Sequence, residues 1–149
     1  MHNINEVFNN GILWSSILAC FLAQALKIAF HYLINKELDF TRIIGSGGMP
    51  SSHSAFVCCL SAGIGLECGF NSVLFAISTV FSIIIMYDAS GVRKAVGEQA
   101  KILNRIQKKL ENREHNIDAD LKELIGHTNL EVFAGALLGI IIGIISALL

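Results

Sequence analysis

Residues Ile12 to Ile34 make a predominantly apolar run long enough to cross a bilayer, which takes ~20 residues in a helix. Backbone N–H and C=O groups have no water to turn to in hydrocarbon, so such a run must be helical, as must any others that accompany it. Two shorter apolar segments follow, Phe56 to Leu66 and Val73 to Met86, and then a last span, Leu130 to Leu149. Hydrophobic residues make up 53% of the 149, charged residues only 15%, and the mean hydropathy is +0.59. The chain therefore reads as an all-α integral membrane bundle of about four transmembrane helices in a single membrane domain, residues 1–149. Met1 to Gly11 has neither a basic start nor a cleavage site after a short apolar core, so a cleaved signal peptide is not expected. Cys20, Cys58, Cys59 and Cys68 lie in or beside apolar runs without paired metal-ligand spacing and read as small hydrophobes.

The first run is not uniformly apolar. Gln24, Lys27 and His31 recur at i, i+3 and i+7 and share one helical face. A lysine at that depth either snorkels to the surface or faces a polar interior; its polar neighbours on the same stripe favour the interior.

Gly45 to Ala55, GSGGMPSSHSA, separates the first two runs and holds the chain's only proline. Gly47 and Gly48 allow tight turns and close approach to a ligand, and Pro50 presets φ for a helix start. A helix beginning near Ser51 would turn its unpaired N–H groups toward this loop, a setting that favours an anion such as phosphate. His53 would sit in the first turn beside it. The alternative is that Pro-Ser-Ser-His only starts a buried helix, with serine as its cap.

Glu67 to Ser72 reads as a tight turn between antiparallel helices. From Met86 an apolar helix acquires Asp88, Arg93, Lys94 and Glu98 and leaves the membrane. Val96, Leu103, Ile106 and Leu110 then follow helical spacing opposite Lys101, Arg105, Lys108 and Lys109. This basic amphipathic helix suits either an anionic leaflet or the protein's own surface. Glu111 to Asp120 reads as a loop and Leu121 to Ile125 as a short turn or helix. In the last run Gly135, Gly139 and Gly143 form a stripe that permits close packing, within one chain or between two, so a homodimer is among the expected partners.

Eight of the eleven Lys and Arg residues lie between Arg93 and Lys122, and only Lys27 lies inside an apolar run. With four spans, the loop after the first and the segment at about 90–129 share one side, which the positive-inside rule places in the cytoplasm. GGMPSSH, YDASGVRK and GHTNLE converge there.

His127 and Glu131, four apart, share a face on a continuous helix, where the carboxylate could orient the imidazole as nucleophile or base. Thr128 to Glu131 also spells a T-x-x-E capping box, which would use Glu131 on the backbone instead. Arg93 offers a bidentate fork for phosphate, and Asp88 either orients it or caps a helix.

GGMPSSHSA, then MYDASGVRKAVGEQA followed by LN, then GHTNLEV with its glycine-rich tail, resembles the divergent branch of the type 2 phosphatidic acid phosphatase superfamily, a group related to acid phosphatases and vanadium-dependent haloperoxidases. The resemblance implies that Pro50-Ser51-Ser52-His53 corresponds to a P-S-G-H motif whose histidine protonates the leaving group, and that His127 with Glu131 corresponds to the nucleophile and its carboxylate. Ser52 replaces the motif's glycine, Asp120-Leu121 stand where Ser-Arg would precede His127, and the Lys/Arg-Pro motif is absent, with Ile34-Asn35 at its distance from Lys27. Arg93 and Lys27, with Ser51 and Ser52, would then bind phosphate, supported by Gly47, Gly48 and Asp88. The implied activity is hydrolysis of a lipid phosphate monoester or pyrophosphate through a phosphohistidine, without metal or cofactor, at the cytoplasmic face of a bacterial inner membrane. Membrane lipids, not nucleic acid, are the expected partners. The competing expectation is a noncatalytic membrane protein that binds anionic headgroups or a partner.

Overall fold

The computed structural model describes residues 4–36, 48–111, 121 and 126–149. The elements are a short 3-10 helix, Ile4–Asn9, followed by α1 (Gly11–Asn35), α2 (Ser52–Cys68), α3 (Val73–Ser90), α4 (Val92–Glu111) and α5 (Asn129–Leu148). Every described regular element is helical, as the apolar runs require. Glu111 to Asp120 and the turn expected over Leu121 to Ile125 lie outside the described residues, apart from the end of α4 at Glu111 and Leu121.

Local chemistry sets the boundaries. Asn10 caps α1 by accepting from Leu13 N at 2.9 Å, and α1 closes on Lys36 in the left-handed region, whose N–H donates to Tyr32 O. Ser72 caps α3 through Phe75 N at 3.1 Å, after a turn that opens on Gly69 at φ +88°. Ser51 caps α2, so Pro50, joined to Met49 by a cis peptide bond, stands one residue outside the cap and not at the helix start. Gly91 alone separates α3 from α4.

Among the described residues three helices, α1, α3 and α5, are long and apolar enough to cross a membrane, so three of the four expected spans meet that measure. Helix α2 has 17 residues, rich in Ser, Ala, Cys and Gly, and packs against all three. The bundle is small and polar inside and large and apolar outside: Ala19, Ala23, Ala55 and Cys59 form its core, while Phe21, Ile77, Phe81 and Phe133 are exposed. Lipid gives no hydrophobic reason to hide Leu or Phe between helices, so close backbone approach and interhelical hydrogen bonds hold them together.

Those contacts fix the registers. Ser82 Oγ donates to Val57 O at 2.9 Å, and Ser61 bonds Thr79 at 3.0 Å and Ser78 at 3.4 Å, so α3 runs antiparallel to α2. Ile12 packs over Gly63 and Cys59 contacts Ser15, so α1 is antiparallel to α2 as well. The glycine stripe lies on α2 of the same chain: Gly135, Gly139 and Gly143 face the carbonyl oxygens of Ser51, Ala55 and Cys59. Both series advance by four residues in the same direction, so α5 is parallel to α2. These registers bring the N-termini of α2 and α5, the C-terminus of α3 and the later half of α1 to one end of the bundle.

Candidate active site

At that end a pocket of about 80 Å³ is lined by His53, Ile85, Asp88, Ala89, Arg93 and His127. Each side chain arrives from a helix terminus. His53 lies in the first turn of α2, just before the apolar stretch that begins at Phe56. Asp88 ends α3, Arg93 begins α4, and His127 stands immediately before the Thr128 cap of α5.

His127 is buried, with its backbone N–H donating to Ala89 O at 2.9 Å. Its Nδ1 lies 3.2 Å from Glu131 Oε2. The capping box forms too: Thr128 N donates to the same Glu131 Oε2 at 2.9 Å, and Glu131 N donates to Thr128 Oγ1 at 3.3 Å. The two uses of Glu131 that spacing sets in competition are therefore compatible. One oxygen takes both hydrogens because His127 stands one residue before the Thr128 cap, with its ring folded over the first turn. An ionised carboxylate can only accept, so this contact puts the imidazole proton on Nδ1 and leaves the Nε2 lone pair free to act.

Asp88 pairs with Arg93 at Nε, which orients the guanidinium plane and leaves the terminal Nη groups as the end that would meet an anion. Of the two roles open to Asp88, orienting Arg93 is the one seen. The His53 ring is exposed, yet its pKa is lowered, first by partial burial, then by the positive charge of Arg93, by the repulsion it would share with the neighbouring His127 ring if both carried a proton, and by Lys27, with Asp88 opposing.

The other expected site residues that are described do not line the pocket. Lys27 is buried and faces the interior, not the surface, with Gly48 lying along its methylenes. Gly48 has φ +89°, and an added Cβ would come within 3.2 Å of Lys27 Cγ. Ser51 and Ser52 are buried; the Ser51 hydroxyl accepts from Ser54 N and Ser54 Oγ, which engages it in the cap. Its amide donates to Glu131 O at 2.9 Å, tying the start of α2 to the start of α5. Gly47 lies outside the described residues. Among the described residues no three His, Cys, Asp or Glu side chains cluster closely enough to hold a metal ion.

Two positioning residues lie inside the motifs quoted above without a role of their own there. Gly126, at φ +98°, lies so close to the Arg93–Lys94 backbone that a Cβ would collide with it. Asn104 is buried on α4, and its amide takes both backbone groups of Leu121, at 2.8 and 3.0 Å. Together they latch the segment that leads into His127 onto the helix that carries Arg93. The glycine directly before His127 is the sequence signal for the first; for the second, the LN of the resemblance marks the position but not the contact.

A wider groove of about 690 Å³ opens at the same end between α3 and α5, lined by Tyr87, Ser90 and Asn129 at its mouth and by Val132, Phe133 and Ala136 further along.

Comparison with known proteins gives two matches. The model of the Divergent PAP2 family matches residues 8–142. An uncharacterized membrane protein of Bacillus subtilis (strain 168), YuiD, is 41% identical over 154 residues, covering 95% of this chain and 97% of that protein. No solved structure gives a significant match.

Proposed function

The chain belongs to the Divergent PAP2 family of membrane proteins, and from that premise we propose that it is a phosphatase that hydrolyses a lipid phosphate through a phosphohistidine. The observation that carries the reading is the pairing of His127 with Glu131 at a pocket shared with His53 and Arg93. His127 Nε2 attacks phosphorus while Glu131 holds the proton on Nδ1 and stabilises the imidazolium that develops. The bond from phosphorus to the leaving oxygen breaks, and His53 protonates the departing alkoxide. Arg93 Nη groups and the first-turn amides of Ser52 and His53 receive the equatorial oxygens, and buried Lys27 adds positive field behind them. Neutral His53 then takes a proton from water, which attacks the phosphohistidine, releases phosphate and returns His127 to its starting form.

The pocket suits a phosphate headgroup, and the α3–α5 groove offers apolar surface for hydrocarbon at the same end of the bundle. Lys and Arg concentrate on the segments at that end, which supports a site facing the cytoplasm from a bacterial inner membrane. Phosphatidylglycerophosphate and polyprenyl phosphates both combine the required headgroup and tail.

The test is phosphate release by the purified protein from a panel of phosphatidic acid, phosphatidylglycerophosphate and polyprenyl mono- and diphosphates, beside His53→Ala and His127→Ala. Release by the wild type and loss in both variants is expected. Equal release by all three overturns the assignment. Binding of these lipids without release from any of them favours the noncatalytic reading.

A further inference from the structure

We propose that α4 lies along the surface of the bilayer that α3 crosses, with an apolar stripe seated between headgroups and upper acyl chains. The helix has three faces. Gly97, Ala100 and Asn104 turn into the protein, where Asn104 holds Leu121. Lys94, Lys101, Arg105 and Lys108 are exposed on a second face, with Glu98 bonded to Lys101. Val92, Val96, Leu103 and Ile106 occupy a third, flanked by Ile102, and each of these is 44–58% exposed.

The face that packs on the chain's own surface is thus the Ala100–Asn104 face, and the apolar stripe is a different one. Its occupant follows from where α4 begins. Helix α3 ends at Ser90, and Gly91 is the whole connection, so the first turn of α4 stands at the membrane boundary. A tether of one residue makes that same bilayer the apolar phase at the highest effective concentration. An apolar stripe opposite a face rich in Lys and Arg is also the pattern of a helix lying in the membrane interface, attracted by anionic lipids. Seated in this way, α4 would hold Arg93 at headgroup depth. The inference needs α3 to span the membrane but does not depend on phosphatase activity.

Trp14 is the chain's one tryptophan, so Trp14→Phe clears the background for a fluorescence test. Leu103→Trp and, separately, Lys101→Trp are added to the full-length protein. Each is reconstituted in phosphatidylcholine–phosphatidylglycerol vesicles whose acyl chains are brominated near the headgroup. The Leu103→Trp fluorophore should be quenched several-fold more by brominated lipid than the Lys101→Trp fluorophore, with the reverse order for aqueous acrylamide. Ile106→Trp replaces Leu103→Trp if the latter fails to reconstitute. Equal acrylamide quenching at both faces overturns the proposal. Shielding of the stripe from both quenchers overturns it too, because a second copy or another protein then covers that face.

Discussion

The contact between α5 and α2 predicts a graded response to alanine along the glycine stripe. At Gly135 and Gly139 a new Cβ would meet the backbone carbonyl oxygens of Ser51 and Ala55 far inside the 3.0 Å that real Cβ atoms respect. At Gly143 the nearest atom, Cys59 O, is 2.8 Å away, and at Gly11 nothing lies within 4 Å. Alanine gains about 1 kcal/mol of helix propensity at each of the three stripe positions and little at Gly11, the first residue of α1. Overpacking costs about 1–3 kcal/mol, and the upper part of that range applies where a helical backbone, not a mobile side chain, must yield. At Gly135 the shift also stretches the Ser51 N–Glu131 O bond of 2.9 Å, worth about 1 kcal/mol. Gly135→Ala should therefore lose roughly 2 kcal/mol net, Gly139→Ala slightly less, Gly143→Ala least, and Gly11→Ala nothing. Restoring an ordinary carbon–oxygen contact parts the helices by about an ångström and carries Glu131 and His127 away from His53, a displacement of the kind that costs on the order of 100-fold in rate. Thermal unfolding in detergent, followed by circular dichroism, and phosphate release measure the two effects. Melting of Gly135→Ala and Gly139→Ala at or above the wild type, with the Gly11→Ala control behaving as expected, would refute the packing argument.

The two tasks of Glu131 separate by substitution. Thr128→Ala removes one half of the capping box and should cost about 1 kcal/mol of stability while activity largely survives. Glu131→Gln keeps an oxygen for the cap but loses the charge on His127 Nδ1, and should lower kcat by roughly 100- to 10,000-fold with little change in melting; similar activity losses in both variants would refute the division. Gly126→Ala forces a Cβ into the Arg93–Lys94 backbone at a positive φ, so it should destabilise the protein and lower activity together, and wild-type melting would show that the wedge is not tight. If His53 is the acid, its protonated form is required, so kcat/KM should fall as pH rises through a pKa below the ordinary histidine value. Asp88→Asn removes a charge that raises this pKa and should move that limb further to the acid side, whereas a bound phosphate dianion raises it, so the same limb in kcat lies at higher pH. A limb that Asp88→Asn leaves in place would assign the titration to another group.

The all-helical class, the approximate helix bounds and the convergence of three polar clusters at one end were legible in the chain itself, whereas of the four runs read as spans three lie in described helices long and apolar enough to cross a membrane. Run length against bilayer thickness and the segregation of basic residues depend on covalent order alone. The caps were legible for a similar reason, since Ser51, Ser72 and Thr128 act within one turn of themselves. Spacing alone left the role of Glu131 divided. A periodicity argument treats His127 as part of the helix, whereas the cap excludes it by one residue and the side chain returns to the same oxygen.

Only the tertiary structure decided register and partners. The stripe of Gly135, Gly139 and Gly143 announces a close helix contact without saying whose backbone fills it; the answer is α2 of the same chain, in parallel, and that choice brings His127 to His53. Likewise, an amide such as Asn104, seventeen residues from Leu121, carries no local mark of its role. Sequence determines what each segment can do with its neighbours one turn away. The pocket exists because small residues and serine hydroxyls far apart in the chain admit one close packing of α2 against α1, α3 and α5.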